Sequence, residues 1–395
     1  MSHEERTVVV LSGGGTGGHL YPAIAIAEAL VERRPDVRPF FLGAARGLEA
    51  RVLPERGLEH LLLPIRGVDR GAGLANLAVL PALARSLTAV AGVFRRLRPE
   101  LVVVTGGYAG APAGIGALLR GVPLALQEQN SVPGVTTRLL APFARQIHLA
   151  FPEAAERLPT GARARALQTG NPVRPPVPVD VAQARRTFGL APRGPVVLVM
   201  GGSQGSAALN RVVLEAVREV QEGRLGRPGD LQLLWATGPS HLHAIRDALE
   251  EAGRPDWVHA IGYVDRVEQA LAVATLAVSR AGAMATSEFL AWGLPSVLVP
   301  LPSAAADHQT MNARSLAEAG AAVHLREAGL RGEALWTEVL ALASDPARLE
   351  ARRKAALERA RPGSARRIAA ALDALLPPPA GGTAEGKRSA PEGGP

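Results

Sequence analysis

The sequence contains no cysteine and few aromatic residues, and both shortages narrow the possible functions. Without cysteine the chain has no disulfide framework, no thiol nucleophile and no cysteine-ligated metal. Only 4% of its 395 residues are aromatic and no base-stacking motif is present, so we expect no nucleic-acid partner. No uninterrupted apolar run approaches the ~18 residues that a membrane-spanning helix needs.

Basic residues outnumber acidic ones, which gives a net charge of +8 and a pI near 10.8. The arginines are spread along the chain, and an anionic membrane surface or a phosphorylated substrate accounts for this excess. The start, MSHEERTVVV, carries Glu4 and Glu5 where a secretory signal would be positively charged. We therefore expect a cytoplasmic protein.

Apolar, strand-like runs alternate with alanine- and leucine-rich helical patterns over most of the chain, which indicates parallel sheets covered on both faces. The runs in the first half are TVVVLSG, RPFFLG, HLLLPI, ELVVVTGG and PLALQEQ. After Pro195 the pattern restarts with PVVLVMGG, LQLLWATG, WVHAIGYV, LAVSRAG and PSVLVPLP. The expected fold class is therefore α/β, with two Rossmann-like, doubly wound domains facing across a cleft.

The domain boundaries follow from composition. We expect a Rossmann-like domain over 1–170, a proline-rich linker over 171–194, and a second Rossmann-like domain over 195–375. Residues 376–395, rich in Pro, Gly and charge, are expected to form a disordered tail.

Three glycine-rich turns join a strand to a helix, at Gly13–Gly18, Gly106–Gly107 and Gly201–Gly205. Glycine lets the backbone approach an anion closely, and the amide groups at a helix start then face it. A single such turn is weak evidence, because tight turns also use glycine for steric reasons. Three turns at strand ends, in both halves, favour a phosphate-containing ligand.

Three other functions fit parts of this pattern. A dinucleotide site needs an acidic residue at the end of the second strand, but RPFFLGAARG ends in Gly43 and Ala44, and Asp36 lies before it. A P-loop needs a Gly-Lys pair after a strand, and none is present. The run Gly201-x-Ser203-x-Gly205 matches the nucleophile elbow of α/β-hydrolases, with Asp265 or Glu288 followed by His308 as triad partners.

Seven motifs occur in a fixed order: GGTGGHLYPAIAIAEAL, TGGYAGAP, EQN, GNPVR, GGSQGS, SRAGAMATSE and HQTMNA. In this order they resemble the family 28 GT-B glycosyltransferases that add N-acetylglucosamine to the lipid-linked precursor of bacterial peptidoglycan. The resemblance runs from about Val8 to Leu375. It implies a UDP-N-acetylglucosamine-dependent enzyme that inverts the anomeric centre and transfers the sugar to the muramoyl 4-hydroxyl of lipid I, forming lipid II.

The same resemblance implies that the domain over 1–170 carries the acceptor and membrane contacts and that the domain over 195–375 binds the donor. It also implies the donor pocket. Its residues would be Thr16, Gly17, Gly18, Asn130, Arg174, Ser203, Gln204, Val264, Ala283, Met284, Glu288 and Gln309. Ser203 would contact the diphosphate, Glu288 the ribose hydroxyls, and the backbone at Val264 the uracil edge. Gln309, with His308 as a less certain partner, would contact the transferred sugar.

Two residues compete for the role of general base. His19, after the first glycine loop, suits this role because an unperturbed imidazole titrates near pH ~6.5. Glu128, in EQN, is the alternative, and the sequence does not decide between them. No D-x-D motif is present, so we expect no metal and no other cofactor. The loop dipoles and Ser203 would instead stabilise the departing UDP.

The sequence departs from the family pattern at three positions. Gln127 stands where His is usual, Ser206 where Ala is common, and Ala285 where Thr is usual. The change at Ala285 is expected to remove one hydroxyl contact to the donor, with Thr286 next to it.

A lipid-linked acceptor requires contact with the membrane. In LANLAVLPALARSLTAVAGVFRRLR (74–98), leucines recur at helical spacing and arginines lie nearby. Such a stripe can face either the sheet or an anionic membrane. The family has a hydrophobic and basic patch in this region, so we expect Leu74–Leu83 to contact the membrane, with the enzyme peripheral to its cytoplasmic face. A related transferase acting on diacylglycerol and a non-catalytic nucleotide-sugar binding protein remain the alternatives.

Overall fold

The computed structural model describes residues 6–67 and 79–379. Its contacts divide the chain into two compact units. Unit 1 consists of Met1–Leu126, Phe143–Gln146 and Arg366–Pro395, as far as these residues are described, and unit 2 of Gln127–Pro142 and Ile147–Ala365.

The first sheet has seven strands in the order β3-β2-β1-β4-β5-β6-β7. They are β1 (Thr7–Gly13), β2 (Val37–Ala44), β3 (His60–Leu63), β4 (Leu101–Gly106), β5 (Leu124–Glu128), β6 (Gln146–Leu149) and β7 (Ala166–Gln168). The strand pairs run parallel. All six residues of β4 are buried, which explains its uninterrupted apolar sequence. The chain order reverses direction between β1 and β4, the position where doubly wound sheets bind ligands.

Helices connect these strands. They are α1 (Gly17–Arg33), α2 (Glu49–Glu55), α3 (Val79–Leu97), α4 (Gly107–Arg120), α5 (Val135–Leu140), α6 (Glu153–Glu156) and α7 (Thr160–Arg163). A 3₁₀ turn, Ala141–Phe143, follows α5.

The second sheet has six parallel strands in the order β10-β9-β8-β11-β12-β13. They are β8 (Val196–Met200), β9 (Gln232–Ala236), β10 (Val258–Ile261), β11 (Leu276–Ser279), β12 (Ser296–Leu298) and β13 (Ala322–His324). Successive residues of β8 enter separate apolar clusters, with Leu198 in one and Val197 and Val199 in the other. The sheet is therefore covered on both faces.

The helices after α7 are α8 (Val181–Thr187), α9 (Ala207–Gln221), α10 (Leu242–Glu251), α11 (Val267–Val273), α12 (Ala283–Ala291), α13 (His308–Glu318), α14 (Gly332–Ala343), α15 (Pro346–Arg359) and α16 (Ser364–Asp373). A 3₁₀ turn, Ala305–Asp307, precedes α13. Helix α8 lies within the segment 171–194 that the sequence predicted to be a linker.

All ten strands predicted from apolar runs are present, and the predicted α/β class with two doubly wound halves is confirmed. Three further strands, β6, β7 and β13, were not predicted. They contain only three or four residues each, and β7 is largely exposed, so no long apolar run marks them.

In helix α3, one part of the stripe predicted to contact the membrane is buried and another part is exposed. Val90 and Phe94 are buried against Gly116 of α4, so this part of the stripe faces the protein. Leu80, in the first turn, is 67% exposed. Leu74 and Leu77 lie outside the described residues. In the parts of the chain that are described, no helix is long and apolar enough to cross a membrane.

Residues 366–379 belong to unit 1, although they follow unit 2 in sequence. Arg34, at the end of α1, is 7% exposed and contacts Asp36 and Asp373 at 2.8 and 2.7 Å. The hydrogen bond with Asp36 is the main reason that the pKa of Arg34 is raised. Burial alone would raise the pKa of Asp373, but hydrogen bonds from Arg34 and Arg33 outweigh it and lower this pKa.

We expect Asp373→Asn to destabilise the protein by about 1–2 kcal/mol at pH 7, because it removes one charge from a largely buried ion pair. A lowered carboxyl pKa stabilises the fold above the unfolded value of ~3.9, and this contribution disappears as pH falls through the folded value. The difference should therefore shrink in acid. Urea unfolding at pH 7 and pH 3 measures it. Glu32→Gln, in the exposed Arg366–Glu32 pair, is the control and should change stability by less than about 0.5 kcal/mol.

Candidate active site

The first glycine loop joins β1 to α1. Gly15 has a φ of 93°, and Thr16 begins the helix without a side-chain cap. Thr16 is exposed, while Gly17, Gly18 and His19 are half-buried. An uncapped start of a 17-residue helix offers amide groups and a partial positive charge to an anion.

The ring of His19 is oriented by β4. Its Nδ1 lies 2.9 Å from the carbonyl oxygen of Thr105, and the Thr105 hydroxyl donates to the carbonyl oxygen of His19 at 2.7 Å. Because a carbonyl oxygen can only accept, Nδ1 carries the hydrogen. In the neutral ring Nε2 is then the nitrogen that accepts a proton, which is the tautomer that a general base needs.

The second glycine loop joins β8 to α9. Gly202 and Gly205 have φ values of 93° and 76°, and a Cβ on Gly205 would lie 2.0 Å from the carbonyl oxygen of Thr237. Ser203 and Gln204 are exposed at the top of this turn. The loop therefore presents two polar side chains next to the start of a 15-residue helix, an arrangement suited to a diphosphate.

Ser206 and Arg280 stabilise this loop through hydrogen bonds. The Ser206 hydroxyl caps α9 by accepting from the amide of Leu209 at 3.3 Å. It also accepts from Nη2 and Nε of Arg280 at 2.7 and 3.0 Å. Arg280 is 6% exposed and pairs with Glu327. The serine that departs from the family pattern thus has a defined structural role.

Glu288, in α12, is the carboxylate whose environment is most unusual. It is half-buried, and no other described residue gives its side chain a hydrogen bond or an ion pair. Burial raises its pKa from 4.5 to about 7, against the opposing charge of Arg174. A half-buried carboxylate without a donor is suited to accept hydrogen bonds from a ligand diol.

Glu128 differs, because both of its oxygens are already occupied. Oε1 accepts from the amide and the side chain of Asn130 at 3.1 and 3.2 Å. Oε2 accepts from the amide of Gly134 at 3.0 Å and from the Thr137 hydroxyl at 2.6 Å. Glu128 is 2% exposed. This carboxylate therefore closes the loop after β5.

Asn312 connects that loop to α13, and sequence reasoning did not single it out. Its side chain accepts from the amide and hydroxyl of Ser131, both at 2.9 Å. It donates to Asn130 Oδ1 and to the carbonyl oxygen of Ala281, both at 3.2 Å. Asn312 is fully buried, so Asn130 is held in place by a residue of the HQTMNA motif.

Asn171, of GNPVR, forms a second buried junction. It donates to Ser287 Oγ at 2.9 Å and to the carbonyl oxygens of Gln129 and Ala283 at 3.1 and 3.3 Å. Gln127, the residue that replaces the usual His, donates to Asn171 Oδ1 at 3.1 Å. Gln127, although it departs from the family pattern, is therefore part of the hydrogen-bond network that positions the EQN loop.

The other predicted donor contacts lie at helix starts and loop ends of unit 2. Val264 is 3% exposed, so its side chain belongs to the core and only its backbone is suited to a base edge. Gln309 Oε1 accepts from the amide of Leu301 at 3.0 Å. His308 Nδ1 contacts the carbonyl oxygen of Ala305 at 2.7 Å.

Ala283 begins α12 and is 7% exposed, and Met284 follows half-buried. The neighbouring Thr286 hydroxyl donates to the carbonyl oxygens of Gly282 and Ala283, both at 3.1 Å. It is 1% exposed and turned into the helix, so it does not replace the hydroxyl that Ala285 lacks.

The structure disfavours two of the alternatives. A nucleophile elbow places its serine in a strained turn, but Ser203 is not among the described residues with positive φ. Asp36, the acid nearest the second strand, is occupied by Arg34 and by the Thr7 hydroxyl at 3.0 Å. Within residues 6–67 and 79–379, no three His, Asp or Glu side chains form a group that could hold a metal ion.

The two parallel sheets and their glycine loops define a GT-B fold, as in solved glycosyltransferases. The structure of Acinetobacter baumannii MurG matches with a TM-score of 0.72 and 26% identity, over 93% of this chain and 99% of that one. The glycotransferase of kitacinnamycin matches in fold, with a TM-score of 0.68 and 20% identity, over 94% of this chain and all of that one.

Sequence comparison defines the family. Residues 9–149 match the glycosyltransferase family 28 N-terminal domain, and residues 196–368 match its C-terminal domain. A relative from Moorella thermoacetica is 42% identical over 90% of this chain and 95% of its own length. A relative from Salinibacter ruber is 42% identical over 93% of this chain and 96% of its own length. The chain belongs to glycosyltransferase family 28, which confirms the resemblance seen in its motifs.

We expect the raised pKa of Glu288 to make the stability of the ligand-free protein depend on pH. Because this pKa is raised, the folded state favours the protonated form, and that advantage is lost as pH rises from about 4.5 to about 7. Glu288→Gln should therefore be more stable than wild type at pH 8, by at most on the order of 3 kcal/mol, and not at pH 4. Urea unfolding measures this. The exposed Glu358→Gln is the control, and an equal effect at both pH values would contradict the assignment.

Proposed function

We propose that this chain transfers N-acetylglucosamine from its UDP conjugate to the muramoyl 4-hydroxyl of lipid I, which yields lipid II for peptidoglycan synthesis. The observation that carries the proposal is the match over more than 90% of the chain to relatives named "UDP-N-acetylglucosamine--N-acetylmuramyl-(pentapeptide) pyrophosphoryl-undecaprenol N-acetylglucosamine transferase".

Unit 2 is proposed to bind the donor. Ser203, Gln204 and the start of α9 face the diphosphate, and Glu288 accepts hydrogen bonds from the ribose hydroxyls. Arg174, whose charge opposes the raised pKa of Glu288, is an exposed cation available to the phosphates. Oε1 of Gln309 is already occupied by the amide of Leu301, so the amide group of Gln309 is the part suited to donate to a sugar hydroxyl.

His19 is proposed as the general base. Nε2 takes the proton from the 4-hydroxyl as its oxygen forms a bond to the anomeric carbon. The bond from that carbon to the diphosphate breaks on the opposite side, and UDP leaves with the electron pair, which inverts the centre. The amides of the second glycine loop and Ser203 stabilise the negative charge that develops on UDP. Glu128 keeps Asn130 in position and takes no proton.

Transfer of labelled N-acetylglucosamine to a lipid I analogue tests the proposal. We expect turnover by wild type, and a kcat about 10²- to 10⁴-fold lower for His19→Gln with unchanged UDP affinity. Glu288→Gln should instead raise the KM for the donor. Transfer to diacylglycerol but not to the analogue would show that the acceptor is wrong. UDP binding without turnover on either acceptor would show a non-catalytic binding protein.

We also propose that the enzyme is peripheral and that the first turn of α3 contacts an anionic membrane at its cytoplasmic face. The exposed Leu80 supports this contact, and the exposed Arg85 lies one turn further along the helix.

We expect Leu80→Glu to weaken binding to vesicles containing anionic phospholipid by about 5-fold or more. The change removes apolar area that leucine would bury in the membrane, and it adds a negative charge that the anionic lipids repel. Vesicle sedimentation at fixed ionic strength measures the effect. Val181→Glu, which changes a 44% exposed residue in unit 2, is the matched control. Equal binding by Leu80→Glu and wild type would remove this contact from the proposal.

A further inference from the structure

A carboxylate with no exposed surface lies beneath the first glycine loop. Glu49 is the first residue of α2, and its exposed fraction is 0%. It belongs to none of the seven motifs and was not predicted as a site residue. A charged side chain that is fully buried is rare unless something compensates for it.

Glycines from separate segments make room for this side chain. A Cβ on Gly14, in the loop, would lie 1.4 Å from Glu49 Oε1, and one on Gly47 would lie 1.8 Å from Oε2. A Cβ on Gly43, in β2, would lie 2.6 Å from the Cβ of Glu49. Neither Gly14, Gly43 nor Gly47 has a positive φ, so the backbone does not require glycine at these positions. The cavity they leave is occupied by this one carboxylate.

The carboxylate is only partly satisfied. Oε1 accepts from the amide of Gly15, whereas Oε2 has no hydrogen-bond partner. Burial raises the pKa of Glu49 above its usual range, and its own amide, the amide of Gly15 and the charge of His19 offset this only in part. Burial, followed by the charge of Glu49, raises the pKa of Tyr108 of α4. His19 and Tyr108 are thus two titratable groups close enough to interact with this carboxylate.

We propose that Glu49 is a positioning residue for His19, because its carboxylate fixes the turn at Gly15 from which the helix carrying His19 begins. The inference rests on His19 being the base. The anchoring follows from the Gly15 hydrogen bond, because Gly15 precedes the helix turn that carries His19. A carboxylate at this depth costs more than an apolar side chain of equal size, so packing alone does not account for it.

Glu49→Gln separates the charge from the shape. The amide keeps an oxygen acceptor for Gly15 and nearly the same volume, but it carries no charge. Because the hydrogen bond from Gly15 is kept, we expect Glu49→Gln to retain a kcat within about 3-fold of wild type. Glu49→Ala removes the acceptor, so its kcat should fall by about 10-fold with the KM for the donor unchanged.

Gly47→Ala displaces the carboxylate without removing it. The added Cβ would collide with Oε2, so we expect faster hydrogen exchange at the Gly15 amide and a lower kcat. Gly92→Ala is the matched control, because Gly92 is exposed in α3 and a Cβ there meets nothing within 4 Å. Circular dichroism confirms that each variant is folded before it is assayed.

The outcomes are distinguishable from failure of the proposed function. If wild type transfers the sugar and Glu49→Ala keeps the wild-type kcat, Glu49 does not assist His19 and the inference is wrong. If wild type transfers nothing, the proposed function fails and the assistance to His19 fails with it. Hydrogen exchange at the Gly15 amide of Glu49→Ala still tests whether Glu49 anchors this turn. Unchanged exchange would overturn the anchoring as well.

Discussion

The structure depends on the close approach of backbone segments where strands turn into helices. At the end of β4, a Cβ on Gly107 would lie 2.1 Å from the carbonyl oxygen of Gly14, and in unit 2 a Cβ on Gly205 would lie 2.0 Å from that of Thr237. Only glycine permits these contacts, and both positions have positive φ. The approach brings the start of a helix to the switch point of each sheet, where its amides can serve an anion.

Three glutamates show how the surroundings of one side chain decide its role. Glu128 accepts four hydrogen bonds and therefore stabilises a loop. Glu288 accepts none from the described residues and has a raised pKa, which makes it available to the ligand that we propose for it. Glu49 is satisfied at one oxygen only. Residue type alone does not distinguish them, since the distinction lies in which donors the fold brings to each carboxylate.

The sequence predicted the parts of the fold that are encoded locally. Long apolar strands and glycine turns are contiguous, so β1, β4 and β8 could be identified with their loops. The position of α16 could not, because Asp373 contacts Arg34 across 339 residues of sequence. Asn171 and Asn312 were missed as buried junctions for the same reason, although both lie in motifs that were recognised. Glu49 gave no signal at all, since its significance comes from glycines in other segments.

The three departures from the family pattern are of two kinds. Two of these side chains bond to other residues of the protein, and the third lacks a hydroxyl that was expected to contact the ligand. Gln127 and Ser206 each form hydrogen bonds to a buried polar residue, Asn171 in one case and Arg280 in the other, so the networks remain complete with these side chains. Ala285 forms no such bond, and Thr286 beside it bonds to its own helix. A buried polar network requires that each donor find an acceptor, and several residue types meet this demand. We propose that the change at Ala285 affects donor affinity rather than folding, because a hydroxyl aimed at a ligand has no substitute within the protein.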